Sequence, residues 1–98
     1  MAIRSYRDRG TRDIAAGSNS RFARNILPVD LHQVARRRLA FLAAAQSLED
    51  LSARPGLNLH ALQHDRKGQH AIRINDKYRI CFIWNAGDAQ DVEITDYH

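Results

Sequence analysis

The 98-residue sequence has one cysteine, two prolines and no long apolar run. A single cysteine, Cys81, cannot form an intramolecular disulfide, so the fold depends on its apolar core, as expected in a reducing compartment. No apolar stretch approaches the roughly 20 residues that span a membrane, and no signal-peptide pattern opens the chain. We therefore expect a single domain over residues 1–98, located in the cytoplasm and without a membrane partner.

Lysine is also scarce, since thirteen of the 15 basic residues are arginine. The planar arginine fork binds phosphate at two points, which a lysine ammonium cannot do. Nine arginines and three aspartates fall in residues 1–46, a formal balance of +6, whereas the remainder of the chain carries −2. One interpretation is a polyanionic partner, either nucleic acid or an acidic protein. The other is the codon bias of a high-GC genome, and composition alone does not separate the two.

The N-terminal half is predicted to contain a short strand, a loop and a long helix. Alternation over residues 3–6 predicts a short first strand. The arginine-rich residues 8–25, with the turn sequence G-S-N-S, predict a loop that is flexible in the free protein and partly ordered by a partner. Pro28 suits the first turn of a helix that runs to about Gln46. Ser47 is predicted to cap a short helix ending at residues 54–56. The long helix is expected to bury Leu31, Val34, Ala35, Leu39, Leu42 and Ala45.

The C-terminal half changes to a period of two. Residues 69–74 and 78–84 flank a hairpin loop at 75–77, residues 85–88 form a second turn, and residues 92–95 form the last strand. This order predicts an α+β fold with an N-terminal strand and helices packed on one face of a mostly antiparallel sheet of about four strands. A three-residue hairpin loop places Arg73 opposite Arg79 on one face, whereas a two-residue loop separates them. We prefer the first register because it segregates apolar from charged side chains.

Several side chains have both a chemical and a structural interpretation. Histidine has a pKa near neutrality, but a lone histidine such as His60 is more often structural than catalytic. Arg73 and Arg79 could form the polar face of a solvated sheet. The C-terminal residues 96–98 could fray, although Val92 and Ile94 tie them to the sheet.

No metal site is predicted. His60 and His64 are four residues apart but not on a helix, and no second cysteine or carboxylate lies at metal-ligand spacing. Cys81 is flanked by apolar residues within a strand, which indicates a packed side chain rather than a nucleophile.

Four segments together resemble a known family. They are L-H-A-L at 59–62, D-R-K-G at 65–68, the hairpin at 71–82 and the terminal V-E-I-T-D-Y-H at 92–98. In this order and spacing they resemble the HigB-type toxins of bacterial type II toxin–antitoxin systems, in the RelE-like superfamily and the plasmid maintenance killer family. The resemblance covers nearly the whole chain except residues 8–25.

The resemblance implies a RelE-like fold and a ribosome-dependent endoribonuclease that cuts mRNA in the ribosomal A site without a metal or other cofactor. It also implies a neighbouring helix-turn-helix antitoxin of the HigA type, through which alone the toxin would reach operator DNA. The catalytic residues that the resemblance implies are His60, Arg73, Arg79, Asp96, Tyr97 and His98. Contacts to messenger or ribosomal RNA are expected from Arg36, Arg37, Arg66 and Lys67.

Metal-free RNA cleavage needs the residue types found here. A base takes the proton of the 2′-hydroxyl, an acid protonates the leaving 5′-oxygen, and cations stabilise the charge on the phosphoryl oxygens. His60 and His98 are the candidate base and acid, in either order. Asp96 would orient an imidazole, and Tyr97 would stack on a base or donate to phosphate.

One departure from the family pattern supports an alternative function. Related toxins often carry a lysine and a glycine just before the D-R-x-G segment, where this chain has Gln63 and His64. The alternative is a binding module that acts as corepressor with its antitoxin and has weak or lost nuclease activity. A third hypothesis is a basic RNA-binding domain without chemistry.

Overall fold

The computed structural model describes residues 3–96 and contains helices α1–α4 and strands β1–β4. The helices are α1 Arg9–Ala15, α2 Arg21–Ile26, α3 His32–Ala44 and α4 Leu48–Ser52; the strands are β1 His60–Ala61, β2 His70–Arg73, β3 Arg79–Asn85 and β4 Asp88–Thr95. Single 3-10 turns lie at Val29–Leu31, Pro55–Leu57 and His64–Arg66. All neighbouring strands are antiparallel, in the order β1-β2-β3-β4. The predicted α+β fold is confirmed.

The main core lies between the helices and one face of the sheet. The helices contribute Ile14, Ala35, Leu39, Leu42 and Leu51, and the strands contribute Ile72, Ile80, Phe82, Val92 and Ile94, all at most 3% exposed. The period-two pattern of β2, β3 and the end of β4 places these strand residues on one face. The other face is therefore left for polar groups, over a small cluster of Leu62, Ala71 and Cys81.

The loop predicted over residues 8–25 is wrong, because two capped helices occupy it. Asp8 accepts a hydrogen bond from the Thr11 backbone N–H at 2.7 Å, and Ser20 Oγ accepts one from Ala23 N–H at 3.1 Å. A Cβ on Gly10 would lie 2.6 Å from the Phe22 carbonyl oxygen, so only glycine permits α1 and α2 to pack this closely. The G-S-N-S sequence at residues 17–20 does form the connection between α1 and α2. The flexibility of residues 8–25 in the free protein stays a prediction.

The N-terminal residues 3–6 form only two isolated parallel bridges to β4, Ile3 to Ala89 and Tyr6 to Val92, rather than a continuous strand. The register of β4 against β3 shifts between Cys81 and Ile83, where Asp91 takes a left-handed φ of 51°. Such a bulge twists a strand and interrupts its ladder. The N-terminal segment nevertheless covers the outer edge of β4, which protects this edge from pairing with other chains.

The long helix is confirmed, although a 3-10 turn precedes it and it ends at Ala44. Ser47 caps α4 as predicted, with Oγ accepting from Asp50 N–H at 3.4 Å. Strand β4 begins earlier than predicted, at Asp88, and the sequence did not predict β1.

Candidate active site

The sheet face opposite the helices carries three of the predicted catalytic side chains, distributed over two rows. Residues paired across antiparallel strands point to the same face. One row runs through His60, Ala71, Cys81 and Glu93, and the next through Arg73, Arg79 and Thr95. The fold thus places His60 on the same face as the two arginines.

Arg73 lies directly opposite Arg79, as the three-residue hairpin loop predicted. Ile74 N–H donates to the Tyr78 carbonyl at 3.0 Å, and Asn75 Oδ1 caps the loop by accepting from the N–H groups of Lys77 at 3.0 Å and Tyr78 at 2.7 Å. The loop chemistry therefore fixes the register that brings the two guanidinium groups together.

Two like charges in direct opposition repel, so each guanidinium uses acceptors of the hairpin loop. Arg73 forms an ion pair with Asp76, and Arg79 donates to the carbonyls of Asn75 and Tyr78, the latter at 3.0 Å. Asp76 is 97% exposed, so water screens its ion pair and the pair contributes little stability. Breaking the Arg73–Asp76 ion pair therefore costs little free energy, which leaves the Arg73 guanidinium able to bind a phosphate instead.

Asp96 lies beside the same hairpin loop. Thr95 pairs with Arg79, so the residue after β4 comes next to the loop, and Lys77 Nζ is 3.8 Å from Asp96 Oδ2. Lys77 was not among the predicted site residues, because the register of β4 could not be predicted. Tyr97 and His98 follow directly but lie outside the described residues.

His60 is exposed on edge strand β1, and its Nδ1 is 2.9 Å from the Asn58 carbonyl oxygen. A carbonyl only accepts, so Nδ1 is the donor and carries the proton. The neutral ring then has its lone pair on Nε2, and the protonated ring has a donor there. His60 can therefore accept or give a proton through Nε2.

The four predicted RNA contacts divide between two layers of the fold. Arg66 donates to Gln69 Oε1 and Glu93 Oε1, both at 3.1 Å, which places its guanidinium over the sheet face; Lys67 follows it in the chain and is exposed. Arg36 and Arg37 are exposed on α3, in the helical layer. The structure does not bring these two to the face that carries Arg73 and Arg79.

Arg38 is a residue that the sequence analysis missed. Its NH1 donates to the Gly56 carbonyl at 2.6 Å and to the Arg73 carbonyl at 3.0 Å, so it ties α3 to the end of β2. Burial, and then the charges of Arg73 and Arg37, lowers its pKa. A signal existed, since Arg38 continues the spacing of Leu31, Ala35 and Leu42.

Cys81 is buried beneath this face. Burial raises the pKa of its thiol to about 11, so it stays protonated at neutral pH. A thiol in that state is a poor nucleophile, which supports the packing role expected for this residue.

Neither a metal cluster nor a membrane span is found in the described part of the chain. Within residues 3–96, no three His, Cys, Asp or Glu side chains are grouped so that they could hold a metal ion. No helix in the same range has the length and hydropathy of a membrane-spanning segment.

Comparison with known proteins identifies a family and a relative to which this chain is similar. A family model described as the RelE-like toxin of the type II toxin-antitoxin system HigB matches residues 18–98. Toxin HigB-1 of Vibrio cholerae serotype O1 is 36% identical over 64 residues, which cover 65% of this chain and 67% of that toxin. The family match includes every sequence-predicted catalytic position and begins after α1.

Proposed function

This chain belongs to the HigB family of RelE-like toxins in type II toxin–antitoxin systems, and from that premise we propose that it is a ribosome-dependent endoribonuclease that cleaves mRNA. As a type II toxin it has an antitoxin partner, which we propose to be a HigA-type helix-turn-helix protein that alone contacts operator DNA. The proposed site of action is the translating ribosome in the cytoplasm. The observation that carries the proposal is the shared face of His60, Arg73 and Arg79, with Asp96 beside the hairpin loop.

The proposed reaction is attack of a 2′-hydroxyl on the adjacent phosphorus. The 2′-oxygen forms a bond to phosphorus as the bond to the 5′-oxygen breaks, which leaves a 2′,3′-cyclic phosphate and a 5′-hydroxyl. One group takes the 2′-hydroxyl proton, and another gives a proton to the 5′-oxygen. His60, acting through Nε2, and His98 fill these roles in either order.

The two arginines would stabilise the charge that develops on the phosphoryl oxygens. Each guanidinium has five N–H donors, and in the free protein Arg73 and Arg79 use some of them on the hairpin loop. A phosphoryl group would take over donors that Arg73 now gives to exposed Asp76. Preorganised donors of this kind stabilise a transition state because they need little reorientation during the reaction.

Asp96 would hold an imidazole in the orientation needed for proton transfer, with Lys77 fixing the carboxylate from the loop side. Tyr97 would stack on a base or donate to phosphate. Arg66 and Lys67 would contact the RNA backbone on the same face, and Arg36 and Arg37 would contact RNA from the helical layer.

The test is cleavage of ribosome-bound mRNA by purified protein, with 5′ ends mapped by primer extension. His60→Gln, Arg79→Ala and His98→Ala are expected to lower the cleavage rate by at least about 100-fold, as general acid–base and electrostatic groups do. His32→Gln is the matched control, since His32 donates from Nε2 to the Leu27 carbonyl at 2.8 Å, away from this face. Wild-type cleavage that persists in the site variants would refute the residue assignment.

The second candidate function is a corepressor that binds its antitoxin without cleaving RNA. Gln63 and His64 favour it, because they stand where related toxins often carry lysine and glycine, and both are exposed beside Arg66. Absence of mRNA cleavage by the wild-type chain on ribosomes, with operator binding by the antitoxin strengthened by the toxin, would select this function.

A further inference from the structure

Four arginines line a groove beside the N-terminal segment, which we call the arginine groove. It has a volume of about 380 Å³ and is lined by Arg4, Ser5, Tyr6, Arg7, Asp8, Arg9 and Arg12. The family model begins at residue 18, so none of these residues falls within the family match. Membership of the family therefore does not account for this groove.

The arginines of the groove keep donors available for an anion. Three make ion pairs in which Nε lies 3.6–3.8 Å from a carboxylate oxygen: Arg4 with Asp88, Arg7 with Glu93 and Arg9 with Asp13. These distances are longer than a charge-assisted hydrogen bond, and the three side chains are 59–65% exposed. Arg12 makes no ion pair or side-chain hydrogen bond within residues 3–96.

The carboxylate of Asp8, which also lines the groove, is already engaged. Its Oδ1 accepts from Thr11 N–H at 2.7 Å, and its Oδ2 accepts from Thr11 Oγ1 at 3.1 Å. These bonds hold the Asp8 charge against the first turn of α1, where it is stabilised by the helix dipole. The charge of Asp8 is therefore partly compensated, which reduces its repulsion of an anion bound by the groove arginines.

The groove is connected to the candidate active-site face. Glu93 accepts from Arg66 at 3.1 Å through Oε1 and pairs with Arg7 at 3.8 Å through Oε2. Arg66 lies over the sheet face and Arg7 lines the groove, so a basic group lies on each side of Glu93 and the two surfaces adjoin there.

We propose that the arginine groove binds the phosphodiester backbone of RNA and extends the RNA-binding surface beyond the site of cleavage. The choice of RNA rests on the proposed function, because the groove continues the face on which RNA would be cut. Arginine forks match phosphate at two points, and Tyr6 offers a ring on which a base can stack. An acidic protein segment is the competing occupant.

The test measures equilibrium binding of the full chain to a fluorescein-labelled 20-nucleotide single-stranded RNA, without ribosomes, over a range of KCl concentrations. The groove variant is Arg4→Gln/Arg12→Gln. The control is Arg24→Gln/Arg54→Gln, which removes the same two charges from residues that do not line the groove. Polyglutamate serves as the acidic-protein probe.

The groove variant is expected to bind RNA on the order of tenfold more weakly. Its slope of log K against log salt should be shallower by about 1.4, because two phosphate contacts to a single strand are lost. The control should change the affinity by less than about twofold. Equal losses in both variants, or displacement of RNA by polyglutamate at equal charge concentration, would overturn the proposal.

Cleavage on ribosomes separates this proposal from the proposed function. If both hold, the groove variant needs more protein for half-maximal cleavage but reaches the wild-type rate at saturation. If the proposed function fails, the wild-type chain does not cleave, yet the RNA-binding comparison still decides the groove. If the groove proposal fails, wild-type cleavage persists and both variants bind RNA alike.

Discussion

Thr11 joins the N-terminal helix to the strand that leads into the candidate site, and replacing it by valine should destabilise the fold. Thr11 is 0% exposed, the one fully buried polar residue within residues 3–96. Its Oγ1 accepts from Ile94 N–H at 3.1 Å and donates to Asp8 Oδ2 at 3.1 Å. Valine has nearly the same shape but can do neither.

The cost follows from the groups left behind. In Thr11→Val the Ile94 N–H is buried without an acceptor, which costs about 1–3 kcal/mol, and Asp8 loses one hydrogen bond to its charge. We expect a total of about 2–3 kcal/mol. For a domain of this size that corresponds to a fall in Tm of roughly 10–20 °C.

Urea unfolding monitored by the fluorescence of Trp84, the single tryptophan, measures this change. Thr11→Ser is the matched control, because it keeps the hydroxyl and loses one methyl group at a cost of about 1 kcal/mol. If the valine variant is as stable as the serine variant within about 0.5 kcal/mol, the Ile94 hydrogen bond does not hold α1 to β4 as argued.

Two further predictions concern residues that lie next to the site, the half-buried Arg38 and the buried Cys81. Arg38→Ala should lower the rate of mRNA cleavage on the order of tenfold, because the Arg73 carbonyl loses its donor and the end of β2 shifts. The control is Arg24→Ala, at an exposed arginine of α2, and an equal loss in both variants would contradict the positioning role. For Cys81, the pKa in the folded state is about 11 against an ordinary 9.0. The buried neutral thiol therefore contributes stability that is fully present below pH 9 and is lost as pH rises through 11, on the order of 2 kcal/mol. Cys81→Ala should flatten that alkaline loss in urea unfolding, and an unchanged pH profile would contradict it.

The parts of the fold that could be predicted from sequence are those whose signal lies within a single helix, strand or loop. The period-two strands, the Ser47 cap and the three-residue loop each depend on neighbouring residues, and local chemistry decides them. Because the loop length fixes the register of β2 against β3, the opposition of Arg73 and Arg79 could also be predicted.

The loop prediction over residues 8–25 was wrong although the sequence carries local helix-cap signals, because these helices depend on tertiary packing. Asp8 and Ser20 are good N-cap residues, but α1 and α2 have only seven and six residues. Helices this short are marginal alone and form because they pack. The contact at Gly10 that lets them pack is a relation between two elements, which residue spacing along the chain does not show.

The candidate site likewise contains residues that could be predicted from sequence and residues whose roles depend on long-range contacts. His60 and the two arginines could be identified by residue type and register, whereas Lys77 and Arg38 act through residues distant in sequence, at separations of 19 for Asp96 and 35 for Arg73. Both of these contacts hold the chain where a predicted site residue lies, Lys77 at the side chain of Asp96 and Arg38 at the backbone of Arg73. A site built on the ends of two strands needs such support, because strand ends lack the full ladder that fixes strand centres. The packing of α3 and the hairpin loop against those ends sets these contacts. The spacing of Arg38 along α3 indicates that it faces inward, but only the folded chain identifies its partner Arg73 and the partner of Lys77.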